Sequence, residues 1–249
     1  MLIPTRPNNA VRGSEFISSN MKVNRAVRET NFISELENGN IPSFLRNFKP
    51  IEITIGVNTI TYMCMSDYLS IGSDEDFFRV ASMNVISGQK IADLYDCTLP
   101  TRKMVNDIWY KSQIKLEPLP WGPPYNEEML STYRMKIHND RIQAQLKNSD
   151  ITQLISGHKK DMVLSNYLAP NNPKKRVAIY GWIKQNGIPI QNLNYFDHEL
   201  PYSDYSQSVR LIANDVMVNG SHMRIQDVFK DKTLSKLISD EGPLNFLRY

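Results

Sequence analysis

Cysteine and histidine are scarce in this 249-residue chain, which holds two of the first and four of the second. Two cysteines, Cys64 and Cys97, build neither a disulfide framework nor a zinc cluster, so reduced thiols are expected. Long apolar runs are missing too. No window reaches the roughly 18 apolar residues of a membrane span, and the start, MLIPTRPNNAVRGSEF, lacks the basic-then-apolar order of a signal peptide. A soluble protein is expected, cytoplasmic, delivered by a phage particle or exported by another route. Nor does one charge sign dominate: 29 Lys+Arg face 26 Asp+Glu, a net +3 that is too small and too dispersed to point to nucleic acid. Glycine-rich phosphate loops, His-Glu-x-x-His and Gly-x-Ser-x-Gly are not found. No cofactor is implied, and the spacing of His158, His198 and the nearby aspartates selects no metal.

What is present is patterned. Residues 1–22 carry prolines, Gly, Asn and Ser without periodicity and read as an extended arm, leaving 23–249 as one domain. NRAVRETNFISELENGN sets Val27, Phe32, Ile33 and Leu36 near one helical face, with Gly39 as the stop. IEITIGVNTITYMCM alternates Ile51, Ile53 and Ile55 with polar residues, then Ile60, Tyr62 and Cys64, around a Gly-Val-Asn break. That is a hairpin with one buried face, and Cys64 points inward. NVISGQKIADLYD reads as a helix. Another follows it, with Met104, Val105, Ile108 and Trp109 apolar and Pro100 and Thr101 at its entry. NEEMLSTYRMKIHNDRIQAQLKN reads as one long helix with Met129, Tyr133, Ile137 and Leu146 toward the core. From residue 151, short β-branched and aromatic runs separated by Asn, Pro and Gly read as strands, with Asn219-Gly220 the tightest hairpin turn. Two short helices close the chain. The fold class expected is α+β: helices around one hairpin in the first 150 residues, then a mostly antiparallel sheet.

Candidate chemistry concentrates in Gly157 to Asp161, Tyr180 to Trp182, and Phe196 to Arg210, where turns between strands can present side chains. Cys97 lies just ahead of a helix, and a thiolate is favoured by a helix N-terminus and by an adjacent imidazole. His198 and His158 are the candidate bases, with Asp204, Asp161 or Asp197 to orient the ring. A serine arrangement of Ser206, His198 and Asp204 is awkward, because residues so close on one strand alternate faces. Without chemistry, Tyr195, Tyr202 and Tyr205, with Trp182 and Arg210, form a surface suited to sugar or protein contacts.

The stretch DCTLPTRKMVNDIW resembles the Asp-Cys-Ser-Gly-hydrophobic helix start of papain-like hydrolases, in particular the NlpC/P60 and CHAP cell-wall hydrolases. KKDMVLSN and KKRVAIYGWI resemble their paired strands. The resemblance departs at Thr98-Leu99, where the family has Ser-Gly, and at Arg176, where it has the catalytic histidine. It implies a papain-like cysteine hydrolase of peptide or amide bonds, directed at peptidoglycan, with Cys97 attacking the carbonyl and His198 or His158 moving the proton. The blocks GNIPSFLR, LPTRKMV, GHKKD, IYGW and DYS..VRL also resemble a group of bacterial proteins, which implies one domain over most of the chain and brings no activity with it. Two functions are therefore expected: this hydrolase, or a non-enzymatic phage or cell-surface component binding through its tyrosine-rich loop.

Overall fold

The computed structural model describes residues 3–123, 125–168 and 174–249. Its first helix, α1 (Gly13–Ser19), lies inside the segment expected to be an extended arm. Seven residues are too few for periodicity to show, and so short a helix persists only by docking. Ser14 donates from its amide and hydroxyl to Asp76, while Phe16 and Ile17 are buried and Phe16 stacks on Phe32 at 5.5 Å. Phe32 belongs to α2 (Arg25–Glu37), which the Asn24 side chain caps.

The expected hairpin forms as β1 (Lys49–Ile55) and β2 (Asn58–Cys64). Ile51 sits opposite Tyr62 and Ile53 opposite Ile60, so apolar side chains meet across the strands on one face. Cys64 is fully buried there. Next come β3 (Ser70–Gly72), β4 (Phe77–Arg79), α3 (Val85–Leu94), β5 (Cys97–Thr98) and α4 (Arg102–Lys111). Thr101 caps α4 by accepting from the Met104 amide at 3.2 Å.

β6 (Ile114–Lys115) precedes a 3-10 turn at Glu127–Leu130 and α5 (Thr132–Gln145). The single helix expected over this stretch is thus broken. Ser131 adopts an extended backbone and caps α5 through the Arg134 amide. The restart rotates the buried face onto Met135, His138, Asn139 and Ile142, leaving Tyr133 exposed.

The remaining strands are β7 (Ile155–Ser156), β8 (Lys160–Met162), β9 (Ile179–Ile183), β10 (Pro189–Asn194), β11 (Gln207–Ser208), β12 (Ile212–Ala213), β13 (Asp215–Val218) and β14 (Ser221–Arg224), followed by α6 (Ile225–Lys230). Asn219 and Gly220 both have positive φ, as the tight turn between β13 and β14 requires. The largest sheet runs β14, β13, β2, β12, β5, with β1 also on β2. It therefore joins the early hairpin to the last one. A second sheet runs β10, β9, β8, β11, antiparallel except for the β8–β11 pair. With six α-helices and mostly antiparallel sheets among the described residues, the fold is α+β. One apolar core draws on Phe16 near the start and Phe246 near the end.

Candidate functional site

Strand β8 is the hinge of the functional geography. Alternation along a strand sends Lys160 to one face and Asp161 to the other, and each ends in a different polar region.

Asp161 enters a buried charged centre. At its middle Asp67 accepts from Arg79 at 2.9 and 2.7 Å, from the His158 ring at 3.0 Å and from the Tyr68 amide at 2.7 Å. Burial would raise the Asp67 carboxyl, but the Arg79 guanidinium and His158 outweigh it and hold it well below the usual carboxylate range. Burial also pulls His158 down to about 4 against the attraction of Asp67, so a neutral imidazole donates its Nε2 hydrogen. Tyr68 donates to Asp161 at 2.8 Å. Burial raises Asp161 to about 6 despite the nearby Arg210. Arg210 lies 4.3 Å over the Tyr68 ring and donates to the carbonyls of Met65 and Ile155. Lys159 donates to His138 Nδ1 at 2.9 Å and to the Tyr205 carbonyl at 2.6 Å. Burial, reinforced by Arg79, lowers Lys159 to about 7.

Beside this centre Trp109, Ser156 and Trp182 line a gap of ≈ 10 Å³, room for about one water. Among the described residues His158 Nδ1, Asp161 Oδ1, Ser156 Oγ and the Trp109 and Trp182 indole nitrogens have no hydrogen-bond partner, but the gap is too small for more than a water, so the enclosed charges hold segments together rather than receive a ligand. His158, Asp161, Trp182 and Arg210 thus occupy a structural position. Gly181 is required here: at φ +111 a Cβ would also meet Val105 at 3.3 Å and the Asp161 carboxylate at 3.5 Å. Trp182 follows at φ 55, a strained conformation for a non-glycine residue, held by its amide bond to the Lys159 carbonyl at 3.0 Å.

Lys160 faces the second region, an open cleft of ≈ 370 Å³, within the range of small-ligand pockets. One wall is the 3-10 turn with Tyr125, Asn126, Glu127, Met129 and Leu130; the other is Lys160, His198, Tyr202 and Asp204. His198 and Tyr202 stack face to face, 3.8 Å between ring centres and 5° from parallel. The Val177 amide donates to the His198 carbonyl at 3.1 Å and the Tyr202 amide to that of Glu199 at 2.9 Å, so the loop is pinned at both rings. Asp204 accepts from the Tyr202 hydroxyl at 3.2 Å and from the Ser206 amide and hydroxyl at 2.7 and 2.5 Å, with the Lys160 ammonium 3.5 Å away. Burial would raise Asp204, but Lys160 and the Ser206 bonds prevail and keep it low and ionised. Burial lowers His198 against the pull of Asp204, which leaves its imidazole neutral at pH 7.

Of the residues singled out in the sequence, His198, Tyr202 and Asp204 come together in the cleft, whereas His158, Asp161, Trp182 and Arg210 meet in the buried centre. Tyr205 lies between them, buried, its hydroxyl accepting from the Trp121 amide at 2.6 Å. Cys97 joins neither region. It sits in β5 and not at a helix start, opposite Ala213, 2% exposed, with its thiol donating to the Tyr95 carbonyl at 3.4 Å. Burial and then Asp96 push that thiol far up, the reverse of the acidification expected. The imidazoles are engaged elsewhere: His158 on Asp67, His138 on Lys159, His222 on Asp215, and His198 on Tyr202. Ser206 is 1% exposed and gives its hydroxyl proton to Asp204 rather than to His198. Asp197 bonds Asn194 at 2.8 Å. Among the described residues, no group of three or more His, Cys, Asp or Glu is placed to hold a metal ion, and no helix is long and apolar enough to cross a membrane.

Sequence reasoning missed Glu127 and Asn126 in the cleft, and Asp67, Tyr68 and Arg79 in the centre; Lys159 and Lys160 fell within the Gly157 to Asp161 stretch but were given no role. A local hint was that Asp67 and Arg79 stand close to apolar residues, Met65, Tyr68 and Leu69 for the first and Phe77, Phe78 and Val80 for the second. No known protein family, curated protein or solved structure matches this chain.

Proposed function

We propose that the chain is a binding protein for neutral carbohydrate, seating a sugar ring against the His198–Tyr202 stack. That stack, lining an open cleft, is the observation that carries the reading. A pyranose presents an apolar C–H face and a rim of hydroxyls, so it fits a flat aromatic surface beside groups that both donate and accept. Here those groups are the Lys160 ammonium, the Asp204 carboxylate, Asn126 and Glu127. Lys160 and Asp204 offset one another and Glu127 adds one further negative charge, which disfavours an anionic ligand and suits a neutral one. A cell-wall glycan is the natural source, in keeping with a cell-surface or phage-borne role.

The cysteine hydrolase is the weaker reading. Neither thiol lines the cleft, and a raised, enclosed sulfur is a poor nucleophile. His198 and Asp204 line the cleft, but among the described residues no serine or cysteine lines it with them.

The test is calorimetric titration of the full chain with N-acetylglucosamine, glucose and soluble peptidoglycan fragments, with products analysed by mass spectrometry. Binding that Tyr202→Ala removes while the thermal melt stays unchanged is expected. Cleavage of the fragments that Cys97→Ala abolishes would overturn this reading in favour of the hydrolase, and failure of every glycan to bind at millimolar concentration would overturn the carbohydrate reading itself.

A further inference from the structure

Three residues before His198 the same loop carries a second aromatic surface. Tyr195 stacks on Tyr167 with ring centres 4.5 Å apart and planes 9° from parallel, and Phe196 meets Tyr195 edge-on at 5.4 Å. Tyr167 is 57% and Phe196 60% exposed. These rings are held rather than loose. The Asn194 side chain accepts from the amides of Phe196 and Asp197, each at 3.2 Å, and donates to the Asp197 carboxylate at 2.8 Å. The loop is tied down again by an antiparallel backbone bridge between Arg176 and Glu199, through the Val177 amide to the His198 carbonyl and the Leu200 amide to the Lys175 carbonyl. A turn fixed by its own side chain presents aromatic faces to solvent at little ordering cost on binding.

Resting on the carbohydrate reading of the cleft, we propose that the ligand is a polysaccharide chain that runs from the His198–Tyr202 stack onto the Tyr195–Tyr167 stack and Phe196, making this a multi-subsite glycan surface. Three residues of extended chain span at most about 11 Å, so the backbones at Tyr195 and His198 stand within the length of a short oligosaccharide. The rims agree in chemistry. Asn194 and Asp197 beside the outer rings, like Lys160, Asn126 and Glu127 beside the inner pair, give sugar hydroxyls both donors and acceptors. A free monosaccharide would use the inner stack alone. Each further ring adds contact without new loss of overall tumbling freedom, so affinity climbs with chain length.

The experiment compares N-acetylglucosamine with its β-linked tetramer, and glucose with its own, by calorimetry on the full chain and on Tyr167→Ala, Phe196→Ala and Tyr202→Ala. The tetramer of the bound sugar is expected to bind about tenfold or more tighter than its monomer. Tyr167→Ala and Phe196→Ala should remove most of that gain while leaving monomer affinity unchanged. Equal affinity for monomer and tetramer, or a gain that survives both outer substitutions, would overturn the extension. Loss on Tyr202→Ala in that same experiment would still uphold the cleft. If no sugar of either length binds, the cleft reading fails and the extension falls with it. Thermal melts of the three variants confirm that each is folded, and both outer side chains are exposed enough to be replaced without unfolding the chain.

Discussion

The buried centre and the cleft are built from the same kinds of residue, and often from neighbours in the chain. Lys159 and Asp161 go inward while Lys160 goes to the cleft; the Tyr205 carbonyl anchors Lys159 while Asp204 anchors Lys160. What separates the two is room: ≈ 10 Å³ beside the first, ≈ 370 Å³ in the second. Perturbed ionisation does not separate them, because burial is its leading cause in His158, Lys159 and Asp161 of the centre and equally in His198 and Tyr202 of the cleft. A shifted acid or base is therefore a poor guide to function here unless a ligand can reach it. The centre should govern stability and the cleft should govern binding.

The largest expected effect tests the first half of that contrast. Asp67→Ala strands the buried Arg79 guanidinium, and a broken buried pair of this kind costs about 3–5 kcal/mol. The change should appear as a lower urea midpoint with an unaltered slope. Asp67→Leu combined with Arg79→Met should recover much of the loss, since it leaves no unpaired charge. A single-variant cost near zero would mean that water reaches the centre.

Next in size is the pH dependence set by Lys159. In the folded protein it loses its proton near 7, whereas an ordinary lysine holds it to 10.5. Between those values the unfolded chain binds more protons, so this residue's contribution to stability rises with pH, and its burial penalty is complete below about 7. His158 and Asp161, at about 4 and about 6, titrate below this window. Stability of the natural protein relative to Lys159→Met should therefore increase by on the order of a few kcal/mol from pH 7 to about pH 10. A flat difference would show that Lys159 keeps ordinary solvent contact.

A smaller effect concerns the thiols. Burial raises Cys64 to about 12 and Cys97 further still, so iodoacetamide at pH 8 should modify neither until the chain opens. Labelling should track urea unfolding. Rapid native labelling near pH 6 would restore Cys97 as a candidate nucleophile.

These regions differ, too, in how far they could be read from sequence. The β1–β2 hairpin, the Asn219-Gly220 turn and the Thr101 cap of α4 are local: alternation, positive φ and a hydroxyl one turn from a free amide leave marks within a few residues. His198, Tyr202 and Asp204 were legible as one polar loop for the same reason. The facing wall at Glu127–Leu130 lies some seventy residues earlier in the chain, and nothing in its composition marks it as a partner of that loop. Asp67, Arg79 and His158 are likewise joined only by the fold. Cys97 misled because distance to a helix was legible while its pairing with Ala213 was not: a two-residue strand recruited by β12 buries the sulfur that a helix start would have displayed.

The smallest expected change in stability sharpens the contrast from the other side. His198 is half-buried, bonds through its backbone carbonyl, and meets Tyr202 only by stacking. His198→Ala should therefore shift stability by no more than about 1 kcal/mol, far less than Asp67→Ala. Its effect on glycan affinity should run the opposite way, with His198→Ala losing binding that a folded substitution at the centre retains. Because the imidazole is already neutral at pH 7, binding should hold steady as pH rises above 7 and weaken only once acid protonates the ring, which must then break its stack or meet the sugar as a cation. A His198→Ala protein that binds as tightly as the natural chain would dissociate the aromatic stack from ligand recognition and leave the cleft as no more than a gap between two well-satisfied walls.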